Sequence, residues 1–250
     1  PEFLIEETNQ SLADTKVWLD TSAQFGPLVK PIITPRFVPS CTSELMTGLA
    51  KLAKEYDVPV QSHLSENHGE IDWVASLHPE SSNYTDVYYE HHLMGTVPTV
   101  MAHCIHLSDV EMDRMAETQT MVSHCPYSNV NLSSGIAPIR KLIERNIPIG
   151  LGSDISGGHI VSMAKVLTEA IGLSKMKWAE VDPNYAPLTL SEAFYMATKG
   201  GGQFFGHVGS FEKGYELDAL IIDDTSLFDL NERSLEERLE RWLYVGDDRH

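Results

Sequence analysis

The feature that most limits the folds open to this chain is a recurring unit. A short apolar run stops at a histidine or an aspartate, and a helix-like pattern takes over. Val58-Pro-Val-Gln-Ser-His63, Pro98-Thr-Val-Met-Ala-His103, Thr120-Met-Val-Ser-His124 and Ile147-Pro-Ile-Gly-Leu-Gly-Ser-Asp154 all show it. Runs of this length, rich in β-branched residues, read as buried strands. Lys30-Pro-Ile-Ile-Thr-Pro-Arg36-Phe37-Val38 is an earlier candidate, with Ile32 and Ile33 in the core and Pro-Arg-Phe in a loop. Five strand-then-helix units in succession point to parallel strands joined by right-handed crossovers. A doubly wound sheet and a (β/α)8 barrel both fit that alternation. Candidate functional residues at several different strand ends favour the barrel, and no Gly-rich phosphate loop follows the first strand. Five units are too few to close eight strands. Together with an opening at Pro1 rather than Met, this makes the expectation a fragment of a longer protein, running from about the third helix through the eighth unit.

Between the strands the helical signals are local. Leu12–Leu19 has a helix-like pattern, and Thr42 caps a helix whose buried stripe is read as Leu45, Leu49, Leu52 and Tyr56. Glu66 is read as opening a helix through Ile71, Val74 and Leu77, and residues 78–98 as a polar and aromatic excursion covering part of the site. Ser108-Asp-Val-Glu111 and Thr189-Leu-Ser-Glu192 are capping boxes. A Ser- and Asn-rich loop covers Asn129–Gly135, and a helix is expected over Pro138–Arg145. Ile155-Ser-Gly-Gly158 is a flexible turn before a helix from about Ile160. The helix after Thr189 is expected to stop at Gly200-Gly-Gly202. Beyond Gly214, Ala219-Leu-Ile-Ile222 reads as a strand, and Ser234–Leu243 as a helix mixing charge with Leu235, Leu239 and Leu243. The expected domains are residues 1–213, a partial barrel, and residues 214–250, a separate strand and C-terminal helix.

Composition narrows the partners. Asp and Glu number 36 against 18 Lys and Arg, a formal net charge of −18. Such a surface repels phosphate backbones, so no nucleic acid partner is expected. No apolar run is long enough for a membrane span, and no signal peptide is visible. Three scattered cysteines make no disulfide framework. Cys104 and Cys125 each follow a strand-end histidine, which suits reduced, packed thiols in a cytoplasmic protein.

The strand ends, read together, are Arg36, His63 with Glu66, His103, His124 and Asp154. Histidines with one aspartate suit a borderline divalent cation, zinc first and ferrous iron second, with one position left for water. Such an ion lowers the pKa of its water to about 7. Each residue also has a plainer reading. A strand-end histidine is ordinarily structural, Asp154 can cap a turn, and Arg36 can be a surface ion-pair partner. Their repetition at successive strand ends is what argues for a site.

Thr34-Pro-Arg36-Phe37, Gln61-Ser-His63-Leu-Ser-Glu66-Asn67, Met101-Ala-His103, Ser123-His124-Cys-Pro-Tyr-Ser-Asn129 and Leu151-Gly-Ser-Asp154 resemble stretches of the guanine deaminases, in the amidohydrolase superfamily of metal-dependent hydrolases. That resemblance implies a (β/α)8 barrel carrying a small β-sandwich, with Gly214–Ile222 returning to the sandwich. It implies His63 and Asp154 as ligands of one zinc ion, Asp154 also as base, and His103 positioning the attacking water. Glu66 would protonate the ring nitrogen beside the attacked carbon and help ammonia leave. Arg36 and Phe37 would hold the purine by hydrogen bonding and stacking, alongside His63, Glu66 and Asp154. The implied reaction turns guanine and water into xanthine and ammonia, and the implied assembly is a homodimer. His124 is expected to be structural. The superfamily's first metal motif, His-x-His, occurs nowhere here; His91 and His92 are adjacent, and His103 and His106 are three apart. Two other readings stand beside this one. The chain would deaminate another heterocycle, such as a triazine, a pterin or an adenine derivative, or it would be a catalytically incompetent piece serving as a binding or assembly module.

Overall fold

The computed structural model describes residues 5–22, 24–227 and 231–250. Pro1, one basis for expecting a fragment, lies outside them. The four histidine- or aspartate-terminated runs form β1 (Val60–Leu64), β2 (Thr99–His103), β3 (Met121–His124) and β4 (Ile149–Leu151), hydrogen-bonded in that order. β1 and β2 run parallel, with Val60 beside Thr99 and Leu64 beside His103. The earlier candidate contributes a single parallel bridge, Ile33 to Val60. Ile33 donates to Pro59 and accepts from Gln61, both at 2.9 Å. The prolines at 31 and 35 lack the N–H groups that a longer ladder needs.

The chain divides into two compact units: Pro1–Val122 with Glu144–Pro148, and Ser123–Ile143 with Ile149–His250. In the first unit α1 (Thr8–Ser22) packs on α2 (Ser43–Tyr56). Thr42 caps α2 by accepting from the Leu45 amide at 3.1 Å. The buried face of α2 is Met46, Leu49, Ala50 and Ala53, so the expected stripe is rotated, with only Leu49 in common. Tyr56 serves α1 instead, donating to Asp20 at 2.6 Å. A side chain at Gly48 would meet Leu12 of α1 at 2.6 Å.

Three further α-helices lie in this unit. α3 (His68–Leu77) begins two residues later than Glu66, because Asn67 is its cap. The expected excursion contains α4 (Tyr84–Glu90), capped by Asn83. α5 (Asp109–Glu117) starts at the Ser108 capping box, as read from the sequence. Arg145 ties its own segment to α5 through Asp109 at 2.7 Å and Asp113 at 2.9 Å.

The second unit holds α6 (Pro126–Asn131), α7 (Ile139–Glu144, but for its last residue), β4, α8 (Met163–Glu180), α9 (Leu190–Tyr195) and α10 (Leu235–Val245). α8 packs against α6, α9 and α10. It begins at Met163, three residues after the expected Ile160. α9 starts at the Thr189 capping box; after Tyr195 the winding widens into a π turn over Met196–Gly200 and runs on to Gly202, so the helical run ends at the expected glycines. A side chain at Gly200 would come 2.8 Å from the Tyr195 carbonyl, a crowding only glycine avoids. Ala219–Ile222 is no strand: Leu220 and Ile221 are 81% and 98% exposed. A strand needs a ladder partner, and none of the described residues supplies one here. In α10, Leu243 is buried whereas Leu235 is exposed.

Candidate active site

The site is legible first in the backbone that ends β1. Ser65 has a left-handed φ of 48°, which turns the chain out of the strand before α3 begins. Glu66 sits in this strand-to-helix turn, as its place just after the β1 run led us to expect, and the helix itself opens two residues later. Glu70, the third residue of α3, reaches back so that its Oε2 accepts from the amides of Glu66 (3.0 Å) and Asn67 (3.4 Å). Asn67 Oδ1 accepts from the Glu70 amide at 2.9 Å in return. The pair is a reciprocal capping box. β2 ends the same way, with φ of 71° at His103 and 51° at Cys104. Cys104 then donates its amide to Leu64 at 3.0 Å, and His106 donates to Ser65 at 3.1 Å, so the two strand ends brace each other.

By the pleat, His63 and His103 belong to opposite faces, since His63 pairs with Ala102. The left-handed turn at His103 breaks that alternation. The two rings stack with centroids 5.4 Å apart and 24° between planes. His103 is buried, and its Nε2 lies 3.8 Å from Oε2 of the half-buried Glu66. His63 Nδ1 lies 2.5 Å from the Arg36 carbonyl. A carbonyl only accepts, so Nδ1 carries a proton, and the neutral ring with that tautomer presents its lone pair at Nε2, as a metal-binding imidazole needs. Arg36 thus contributes its main chain as well as its side chain. Its exposed guanidinium lies 5.7 Å from the Phe37 ring, which meets Trp73 edge-on at 6.4 Å.

Beneath these residues lies a buried layer that sequence reasoning missed. Ser62 donates to the Pro35 carbonyl at 2.7 Å. Tyr88 donates to the His63 carbonyl at 2.8 Å and lies 2.7 Å from Ser62 Oγ. Tyr84 donates to Glu70 Oε1 at 2.7 Å. Burial raises the Tyr84 phenol far above its ordinary range, helped by Tyr88 and the Glu70 carboxylate. Burial likewise raises Tyr88. Both therefore stay protonated donors. Asn67-x-x-Glu70 is a capping-box pattern, the sequence signal from which this layer could have been read.

In the second unit, Asp154 follows β4 with a left-handed φ of 44°. Its carbonyl accepts from Gly158 at 2.6 Å, closing a tight turn. A side chain at Gly157 would meet Asp154 Oδ2 at 2.7 Å and Ser128 Oγ at 2.6 Å. His124 is buried, and its carbonyl accepts from Gly152 at 2.9 Å, a structural task. None of the three cysteines forms a disulfide, and Cys104 and Cys125 are buried.

The structure therefore brings together His63, His103, Glu66 and the Arg36–Phe37 segment in the first unit, and describes Asp154 with the second. His63 fits a cation as one imidazole ligand. Among the described residues, no group of three or more His, Cys, Asp or Glu side chains is disposed to hold one, and zinc sites ordinarily keep three protein ligands. No helix among the described residues is long and apolar enough to cross a membrane.

A model of the amidohydrolase family matches residues 7–247. The chain belongs to the amidohydrolase family. Curated relatives of this amidohydrolase include the guanine deaminase of Dictyostelium discoideum, 45% identical, and that of Mus musculus, 40% identical. Each alignment covers 100% of this chain and 57% of the relative, so the chain spans somewhat over half of their length. A crystal structure of guanine deaminase from C. acetobutylicum, with guanine in its active site, superposes with a TM-score of 0.96 at 52% identity. It covers 100% of this chain and 59% of that one. The fold is accordingly the amidohydrolase barrel type, with parallel strands and covering helices, as the strand-end pattern led us to expect.

Proposed function

We propose that this amidohydrolase hydrolyses guanine to xanthine and ammonia as part of the complete protein. The observation that carries the reading is the contact of Glu66 with His103, beside a His63 whose tautomer is set by the Arg36 carbonyl. Relatives named as guanine deaminases support the choice of base.

In this reading the water oxygen bonds to the ring carbon that carries the amino group, and Asp154 takes the water's proton. Glu66 delivers a proton to the adjacent ring nitrogen. Glu66, now a carboxylate, takes the hydroxyl proton of the intermediate and passes it to the amine. The carbon–amine bond breaks as the new carbonyl forms, ammonia leaves, and the proton on Asp154 returns to Glu66. His103 orients the attacking water and fixes Glu66. Arg36 donates to the purine carbonyl, and Phe37 stacks on the ring, held edge-on by Trp73. In the complete protein His63 and Asp154 would be two of the donors to a zinc ion, which would supply hydroxide near neutral pH. A homodimer and a cytoplasmic location complete the proposal.

The test uses the full-length protein. Xanthine and ammonia are measured with guanine as substrate, beside adenine, an aminopterin and an aminotriazine, and bound zinc is measured by elemental analysis. Guanine should be consumed at the highest kcat/KM. Preference for another heterocycle would overturn the substrate assignment. A folded full-length protein inert to all four would favour the binding-module reading.

A further inference from the structure

We propose that α4 is the positioning element of this site, its Tyr84 and Tyr88 fixing the backbone at Glu66 and His63. The inference rests on the reading of Glu66 as proton carrier. The two tyrosines are four residues apart, so they share one face of α4. Both are buried, and their rings stack 5.6 Å apart with 14° between planes. Their hydroxyls diverge to different targets. Tyr88 reaches the His63 carbonyl directly. Tyr84 reaches Glu70 Oε1, and the other oxygen of that carboxylate holds the Glu66 and Asn67 amides.

Glu70 is a buried carboxylate, and both of its oxygens are committed. A buried anion is tolerable only when it is fully hydrogen-bonded, so removing one donor loosens the hold on the others. Tyr84 therefore acts on Glu66 through two intermediates, the Glu70 carboxylate and the Glu66 amide. Neither tyrosine touches the reacting atoms; both are positioning residues. Through these two hydroxyls α4 braces the backbone of the site.

The test compares Tyr84→Phe in the full-length protein with the same change in a Glu66→Gln background. Tyr84→Phe keeps the stacked ring and deletes one donor. Its kcat on guanine should fall about tenfold with KM within about twofold, as for partners that orient a ligand without touching substrate. In the Glu66→Gln background, the further loss in residual turnover should disappear, because the path runs through Glu66. Deuterium uptake by the peptide spanning residues 64–70 should rise in Tyr84→Phe, while uptake by β3 and β4 stays as in the parent. An equal loss in both backgrounds, or unchanged uptake over 64–70, would overturn the proposal. The uptake measurement needs no turnover. If the parent proves inert to guanine, it still decides whether α4 holds this segment. If Tyr84→Phe does not fold, Glu70→Gln takes its place. That change preserves the acceptor for Tyr84 and weakens the hold on the two amides, with the same expected outcomes.

Discussion

At the scale of single residues, the site separates groups that act through their side chains from groups that act through their main chains. Arg36 does both, and this makes its side chain testable in isolation. Arg36→Ala keeps the carbonyl that orients His63 and removes the fork of donors proposed to read the base. In the full-length protein it should lower kcat/KM for guanine at least tenfold more than for a purine lacking the carbonyl. Bound zinc should stay unchanged. Equal losses on both purines would reassign Arg36 to support of the fold. Glu66→Gln tests the proton carrier: the amide keeps the shape and loses the proton. Turnover should drop by about 10²–10⁴ while guanine and zinc binding persist, and zinc loss matching that of His63→Ala would make Glu66 a ligand instead. The chain itself displayed these candidate residues, since histidine, carboxylate and arginine at strand ends are conspicuous. Tyr84 and Tyr88 were hidden, because tyrosines four apart on a helix read as ordinary core. Only their hydroxyl targets, distant in sequence, reveal their task.

Among the elements, local chemistry was legible and competition between elements was not. Ser108 and Thr189 announce α5 and α9 through side-chain-to-amide bonds made within four residues. The buried face of α2 is decided by α1 packing on it, which no local pattern encodes. The end of α9 is decided the same way. Gly209, with a φ of 84°, lies under the π turn, and a side chain there would come 2.5 Å from the Thr198 carbonyl. Gly209→Ala therefore combines an unfavourable backbone region with a clash against main chain that cannot rotate away. It should destabilise the protein by about 2 kcal/mol or more, read as a lower urea midpoint. A neutral result would show that the π turn relaxes freely. At the cap of α3, Asn67→Ala removes the acceptor for the Glu70 amide and should cost about 1 kcal/mol. It should also lower kcat, because the same residues hold Glu66. Stability loss without loss of turnover would separate the cap from the site.

Across the whole chain the dominant physical fact is a net charge of −18, which sets how stability responds to acid. Lowering the pH from 7 towards 5 relieves self-repulsion, so little stability is lost in that range. Below it, particular carboxylates decide. Glu192 is held down to about 2, first by its hydrogen bonds to Arg140 and further by the Thr189 cap. Arg140 grips it with two nitrogens, at 2.6 and 3.0 Å. The same guanidinium donates to the Ala186 and Pro187 carbonyls, so one ion pair joins α7, the 185–188 segment and α9. A carboxyl whose folded pKa lies below its unfolded value stabilises fully above the unfolded value, about 4.3 for Glu. That contribution is lost as pH falls through the folded value. The pair is partly exposed, so after solvent screening it is worth about 1 kcal/mol. Glu192→Gln should therefore be less stable than the parent at pH 7 by about that amount, with the gap narrowing below about pH 4 and nearly closed by about pH 2. General charge effects act almost equally on both proteins and cancel in the difference. Urea midpoints followed by circular dichroism at about pH 7, 5, 3 and 2 measure that difference directly. A gap that stays constant down to about pH 2 would mean that Arg140 holds its two carbonyls without help from Glu192, and that the acid sensitivity of this region lies elsewhere.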